Sequence, residues 1–359
     1  MHACAVTADT LTERPQRGHL HYQMLLGDHS SDPAEVAHDR SWFGLPWSAL
    51  YLYGTLRDED GDLYTVLRVP ETAGGGGKRF FLQTSVGADD LRVHAASRAS
   101  ARNAGFVRTH GDGRTVLTSA PGAEGNPFRF EVDARTSSWM ESGVMDLRGT
   151  LVDPGLQWHL PHGDEGYYYV SQLYEVEGQV LGRNVRGFYG ADDMYMHGQI
   201  YDHDLLIGKE LHTTWYTWAT RYTDGSLDGG HFMLGHDGLG MMLLCDETGA
   251  VNRTTDVDGF VRPDPSGTWP EYIEVHALGE TWEFLPDPKG RMVDFIPIPN
   301  PQTEGRWRRK GDDREPAHWF AYGEIAPSHG FEPRRGLPID QDDVSLGEQH
   351  SSHTSPRAS

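Results

Sequence analysis

Cysteine is nearly absent: Cys4 and Cys245 are the two in 359 residues, far apart in the chain. That excludes a disulfide-stapled scaffold and fits free thiols in a reducing, cytoplasmic setting. Basic residues are scarce as well, with 31 Lys and Arg against 53 Asp and Glu and a formal net charge of -22. Such a surface repels phosphate backbones and anionic lipid head groups, so nucleic acid is not expected as the main partner. The densest basic run, Arg306-Trp307-Arg308-Arg309-Lys310, reads as a solvated loop face. No apolar run approaches the ~20 residues of a membrane span. The opening MHACAVTADTLTERP has neither the basic leader nor the apolar core of a signal peptide, so a soluble protein is expected. Also missing are a G-x-S-x-G elbow and a Rossmann fingerprint, which argues against that class of hydrolase and against nicotinamide enzymes. Gly74-Gly75-Gly76-Gly77 lacks the Lys-Ser/Thr ending and the following helix of a phosphate-binding loop, and reads as a hairpin connection. No cofactor is expected.

Helical periodicity is the last scarcity; only Asp90 to Arg102 has a plausible helical pattern. What is present instead is 43 glycines, 21 prolines and 11% aromatic residues, arranged as short aromatic and β-branched runs between turn signals. Trp42 to Val69 reads as a meander around the acidic turn Asp58 to Asp62, and comparable runs recur to Glu324. That spacing predicts an all-β chain, sandwich or barrel. The expected divisions are a polar arm over 1–40 holding one short element, β domains over 41–207 and 208–332, and a disordered tail over 333–359.

The richest stretch runs from Tyr167 to Gly235. Tyr167 to Val176 reads as a strand, Glu177-Gly178-Gln179 as a turn, and Trp215 to Tyr222 as a strand ending in the hairpin signal Asp224-Gly225. Gly187, Gly190 and Gly198 interrupt strand patterns, which marks a bulge or a close approach by another backbone or a ligand. Asp192, Asp193, Tyr195 and His197 fall between those glycines.

Several of these features together resemble the lipocalin-like two-domain proteins of the carotenoid hydratase (hydroxyneurosporene synthase) family. They are Tyr-Tyr-Tyr-Val-Ser at 167–171, Gly178 and Gly182, Val185-Arg186-Gly187, Asp192-Asp193, Trp215 and Trp218 before Asp224-Gly225, and Trp282 to Pro297. The similarity covers roughly 140–300. It implies two consecutive antiparallel lipocalin-like barrels, a ligand cavity in or between them, and hydration, cyclisation or isomerisation of isoprenoid or polyene chains; some relatives catalyse Diels-Alder closures. One departure is clear: the family's Asp-His pair is replaced by Asp192-Asp193-Met194-Tyr195-Met196-His197-Gly198, with the histidine displaced.

Protonating an alkene needs an acid in an apolar, aromatic enclosure, because desolvation favours the proton-bearing carboxyl. Asp192 and Asp193 are the candidates, on opposite faces of a strict strand, with Tyr195 and His197 on the face of the acid. Tyr169, Trp215, Trp218 and Tyr222 are the candidate walls, each of which packing alone also explains. Asp-Asp after Gly-Ala is otherwise an ordinary turn, and a hydrophobic-ligand-binding protein without chemistry fits the same pattern. His197, Asp202, His203, Asp204, His212, His231 and His236 offer a competing metal constellation, but without H-x-H or H-E-x-x-H spacing no metal is expected. Asp340-Gln341-Asp342-Asp343 matches an alkene-protonating D-x-D-D motif but lies in the polar tail, where coincidence explains it better. The expected partner is a hydrophobic small molecule, and its pocket is placed at the junction of the two domains.

Overall fold

The computed structural model describes residues 17–18, 21–70, 80–100, 106–162, 166–198, 200, 205–294 and 300–330. The glycine run at 74–77, Cys4, Asp202, His203, Asp204, the tail over 333–359 and its D-x-D-D match lie outside them. The chain is all-β and antiparallel throughout its sheets, as the turn-bounded runs predict. Among the described residues one α-helix, Ala95–Ser100, falls inside the stretch Asp90 to Arg102 that has a helical pattern.

Thirteen strands between residues 25 and 196 form one sheet. Its centre is the set Leu45–Asp58, Arg183–Met196, Tyr167–Val180 and Met145–Leu160, each hydrogen-bonded to the next. Leu25–His29, the short element of the N-terminal arm, pairs with Met145–Leu160. The sheet curls until side chains from distant strands meet. Trp139 packs edge-on against Tyr189 at 5.5 Å and against Phe80 at 6.2 Å, inside a core that also holds Leu50, Leu52 and Phe130. Its end strands, Arg92–Val93 and Phe106–Gly111, do not pair with each other among the described residues. The result is a half-barrel rather than a closed barrel.

The remaining strands make two smaller sheets. Five strands, Val251–Thr254, Gly240–Asp246, Leu227–Gly235, His212–Tyr222 and Pro316–Ile325, pack face to face on four, Val257–Pro263, Pro270–Ala277, Glu280–Arg291 and Thr303–Arg309. Between them lies an aromatic core of Tyr216, Trp218, Phe232, Trp282, Phe284 and Trp307. The five-stranded sheet turns its other face to the half-barrel, where Tyr53, Trp158, Phe188, Met233, Phe320 and Tyr322 share a third core. The change of sheet falls between Met196 and His212.

One local reading is corrected and one open alternative is decided. Tyr167–Val180 does not turn at Glu177-Gly178-Gln179. Gly178 instead sits against the next strand, where a Cβ would meet the Asp146 carbonyl oxygen at 2.1 Å. The reversal comes at Leu181-Gly182, both with positive φ (50° and 78°), the two-residue turn that suits strand twist. Nor do Gly187 and Gly190 mark a bulge: the pairing of Arg183–Met196 with Tyr167–Val180 is unbroken. They mark close approach, Gly187 to the Thr55 carbonyl and Gly190 to the ring of Tyr53.

Candidate functional site

The site begins with the alternation of Arg183–Met196. Asp192 and Met194 face the five-stranded sheet, while Tyr189, Asp193 and Tyr195 face into the curl of the half-barrel. Gly190 lies opposite Tyr53 on the neighbouring strand, and a Cβ there would stand 2.8 Å from the Tyr53 ring. The missing side chain lets that ring lean across the strand, so that the Tyr53 hydroxyl donates to Asp192 Oδ2 at 2.5 Å. Ser171, directly opposite Asp192 on the other side, donates to Oδ1 at 2.6 Å.

The five-stranded sheet completes the arrangement with a cross-strand pair, Thr217 and His231. Thr217 Oγ1 is 3.0 Å from the Tyr53 hydroxyl and hydrogen-bonds the His231 ring at Nδ1, and His231 Nε2 is 2.7 Å from Ser171 Oγ. Asp192, Tyr53, Thr217, His231 and Ser171 therefore form a closed hydrogen-bonded ring spanning the two halves. None is more than 2% exposed.

Burial sets the proton affinities of the ring. The Asp192 carboxyl is pushed up to about 7 by desolvation, against the pull of hydrogen bonds from Ser171, Tyr53 and Tyr169. Desolvation lowers His231 to about 3, so its imidazole is neutral at physiological pH. Tyr53 is raised well above the ordinary phenol value, first by burial and then by the Asp192 charge. The ring thus holds one group that titrates near neutrality, coupled to a phenol that keeps its proton.

Beside the ring is a largely apolar cavity of about 80 Å³. Tyr53 and Tyr169 line it, together with Trp158, Trp215, Met233 and Tyr322. Trp158 stacks on Tyr169 with centroids 4.5 Å apart and lies 4.7 Å from the His231 ring. Asp192 has no surface of its own in this wall and reaches it through the tyrosines.

The sequence-derived residues divide among five places. Asp192, Tyr169 and Trp215 come together at this cavity. Asp193 and Tyr195 point the opposite way, where Asp193 accepts the Ala37 N–H at 3.1 Å and the Trp47 indole N–H at 3.0 Å, anchoring the N-terminal arm. Trp218 packs on Trp282 in the sandwich core, and Tyr222 donates to Asp228 at 3.0 Å under the Arg314 guanidinium, so neither lines the cavity. His197 is exposed at the end of its strand. Among the described residues no three His, Cys, Asp or Glu groups gather as a metal cage.

Tyr53, Ser171, Thr217 and Trp158 were not singled out from sequence as site residues, and His231 was read only as a possible metal ligand. One signal for Tyr53 was available, since an unexplained strand glycine two residues before an acid asks what side chain fills its place.

Fold and site together define an all-β protein with a buried carboxyl behind an aromatic cavity between its two halves. No protein-family model matches the sequence, and no curated protein matches it. Among solved structures the chain is similar to an AttH-like protein from Nitrosomonas europaea, at 13% identity and a TM-score of 0.43, covering 81% of this chain and 95% of that one. It is also similar to kievitone hydratase from Nectria haematococca, at 7% identity and a TM-score of 0.40, covering 88% of this chain and 99% of that one. Both are members of the lipocalin-like hydratase family. Neither likeness bears on the chemistry, which rests on the side chains described above.

Proposed function

We propose that the protein is a cofactor-independent acid–base enzyme that adds water to, or removes it from, an apolar isoprenoid or polyene-like substrate. The observation that carries this reading is the fully buried Asp192, poised near neutrality and hydrogen-bonded through Tyr53 to the wall of an aromatic cavity. In its acid form Asp192 passes a proton to the Tyr53 oxygen as the Tyr53 hydroxyl proton moves to a substrate carbon. The alkene π electrons form the new C–H bond and leave a cation on the adjacent carbon. The faces of Trp158, Tyr169 and Trp215 stabilise that cation. Water then adds, and its surplus proton returns through Tyr53 to Asp192. Run backward, the same steps dehydrate an alcohol; loss of a different proton gives isomerisation, and attack by a second alkene gives cyclisation.

One feature favours a second reading, a binding protein for the same apolar class: every polar group of the ring is satisfied within it, as a purely structural network requires. Incubating the protein with apolar metabolite extracts in heavy-oxygen water separates the two. The enzyme reading predicts, with native protein, either a hydrated product carrying the label or an alcohol converted to its alkene, and the loss of both conversions in Asp192→Asn. A ligand that co-purifies and is recovered unlabelled and unchanged after long incubation supports the binding protein instead.

A further inference from the structure

Two tyrosines of the strand Leu45–Asp58 stand two residues apart on its cavity face, Tyr53 and Tyr51, and only Tyr53 belongs to the ring. Tyr51 pairs directly opposite Asp192 in the strand ladder. The carboxyl nevertheless takes its hydrogen bonds from Tyr53, Ser171 and Tyr169, and the Tyr51 hydroxyl has no partner among the described residues. The Tyr51 ring is partly buried and packs against the core that the two halves share. Burial alone raises its phenol well above the ordinary value, with no neighbouring charge or hydrogen bond contributing, so the hydroxyl keeps its proton and is a donor.

Packing needs only the ring, and a hydroxyl in an apolar wall is costly unless something in the cavity accepts its hydrogen bond. The rest of the wall narrows what that acceptor is. Among the described residues that line the cavity there is no Lys or Arg, so a carboxylate or phosphate meets no opposite charge there. We infer that Tyr51 donates a hydrogen bond to a neutral oxygen of the substrate, a carbonyl or ether oxygen on an otherwise apolar body. Tyr51 thereby selects an oxygenated substrate over a plain hydrocarbon of the same shape. Alternation along the strand sets the spacing: Tyr51 and Tyr53 are one pleat repeat apart, so the held oxygen sits on the order of 7 Å from the carbon that Tyr53 serves.

The inference rests on the cavity being the ligand site, as proposed above, and its test keeps the two apart. Cyclohexanone and methylenecyclohexane have the same shape, with a carbonyl oxygen in one where the other has a methylene. Each is titrated into the full chain and followed by the methyl NMR signals of Met194 and Met233, which line the cavity. Both probes should bind the native chain. Tyr51→Phe should weaken cyclohexanone roughly fivefold to tenfold, the worth of one neutral hydrogen bond, and leave methylenecyclohexane within about twofold. His212 is the rival donor, since it lines the same cavity and its Nε2 is buried without a hydrogen-bond partner. His212→Phe should change the ratio of the two affinities by no more than about twofold. Equal losses of both probes in Tyr51→Phe, no loss of either, a selective loss of the ketone confined to His212→Phe, or native binding of methylenecyclohexane alone overturns the Tyr51 assignment and leaves the Asp192 reading standing. Binding of neither probe to the native chain overturns it together with the cavity as ligand site.

Discussion

Burying a carboxyl group among hydroxyls and aromatic rings favours the form that keeps its proton, and Asp192 is the case in point. Its affinity, raised from 3.8 to about 7, has two consequences of known sign. If the acid form protonates substrate, hydration falls as pH rises through about 7, a decline measured as the pH profile of kcat. For stability, a carboxyl whose folded-state affinity is raised contributes most below 3.8, and the contribution is lost between 3.8 and about 7. Asp192→Asn should therefore flatten the decline of Tm over that interval while lowering turnover roughly a hundredfold or more, as loss of a general acid does. Glu175 behaves oppositely. Hydrogen bonds from His318 and Arg221 outweigh its desolvation and bring it to about 2, so its contribution is present above 4.5 and disappears as pH falls toward 2. Glycine 190 supplies a further test. Gly190→Ala puts a Cβ 2.8 Å from the Tyr53 ring, and the ring has to leave its hydrogen bond to Asp192. Turnover should drop nearly as far in Gly190→Ala as in Tyr53→Phe, with the far-ultraviolet circular dichroism unchanged.

The strand Arg183–Met196 explains why two adjacent aspartates have unrelated surroundings. Alternation sends Asp192 toward the five-stranded sheet and Asp193 into the half-barrel, and because both faces are covered, both are buried. Asp193 fastens the arm through Ala37 and Trp47. Asp193→Ala leaves those buried N–H donors unpaired and should cost about 1–3 kcal/mol in a urea titration, with the labelled-water activity retained. This strand also marks how far sequence carries. Aromatic and β-branched runs between glycine and Asp-Gly turns identify the strands, and two-residue periodicity separates Asp192 from Asp193. The glycines were legible as either bulge or close approach, and only the neighbouring strand, 130 or so positions earlier, decides for close approach at Gly190. Gly190 signals that some side chain fills its place, but that it is Tyr53, and that His231 joins it, was not legible for the same reason. They meet Asp192 through pairings of distant segments and through packing of one sheet on another, which no local pattern encodes.

The two halves of the molecule meet over polar as well as apolar contacts. Thr55 donates to the buried Glu304 at 2.7 Å, Arg221 and His318 hold Glu175, and Phe188 stacks on Phe320 at 5.7 Å. The cavity and ring lie along this same junction, so closing the two halves together assembles the site. The central claim, that a proton-bearing carboxyl is held at the junction beside the cavity, can be read directly from the infrared difference spectrum between native protein and Asp192→Asn, titrated from acid to alkaline pH. The account predicts a carbonyl stretch of a protonated carboxyl, assigned to Asp192, that persists above the range of ordinary aspartates and disappears near pH 7. A difference band already lost near pH 4, with the carboxylate present throughout the neutral range, would contradict it.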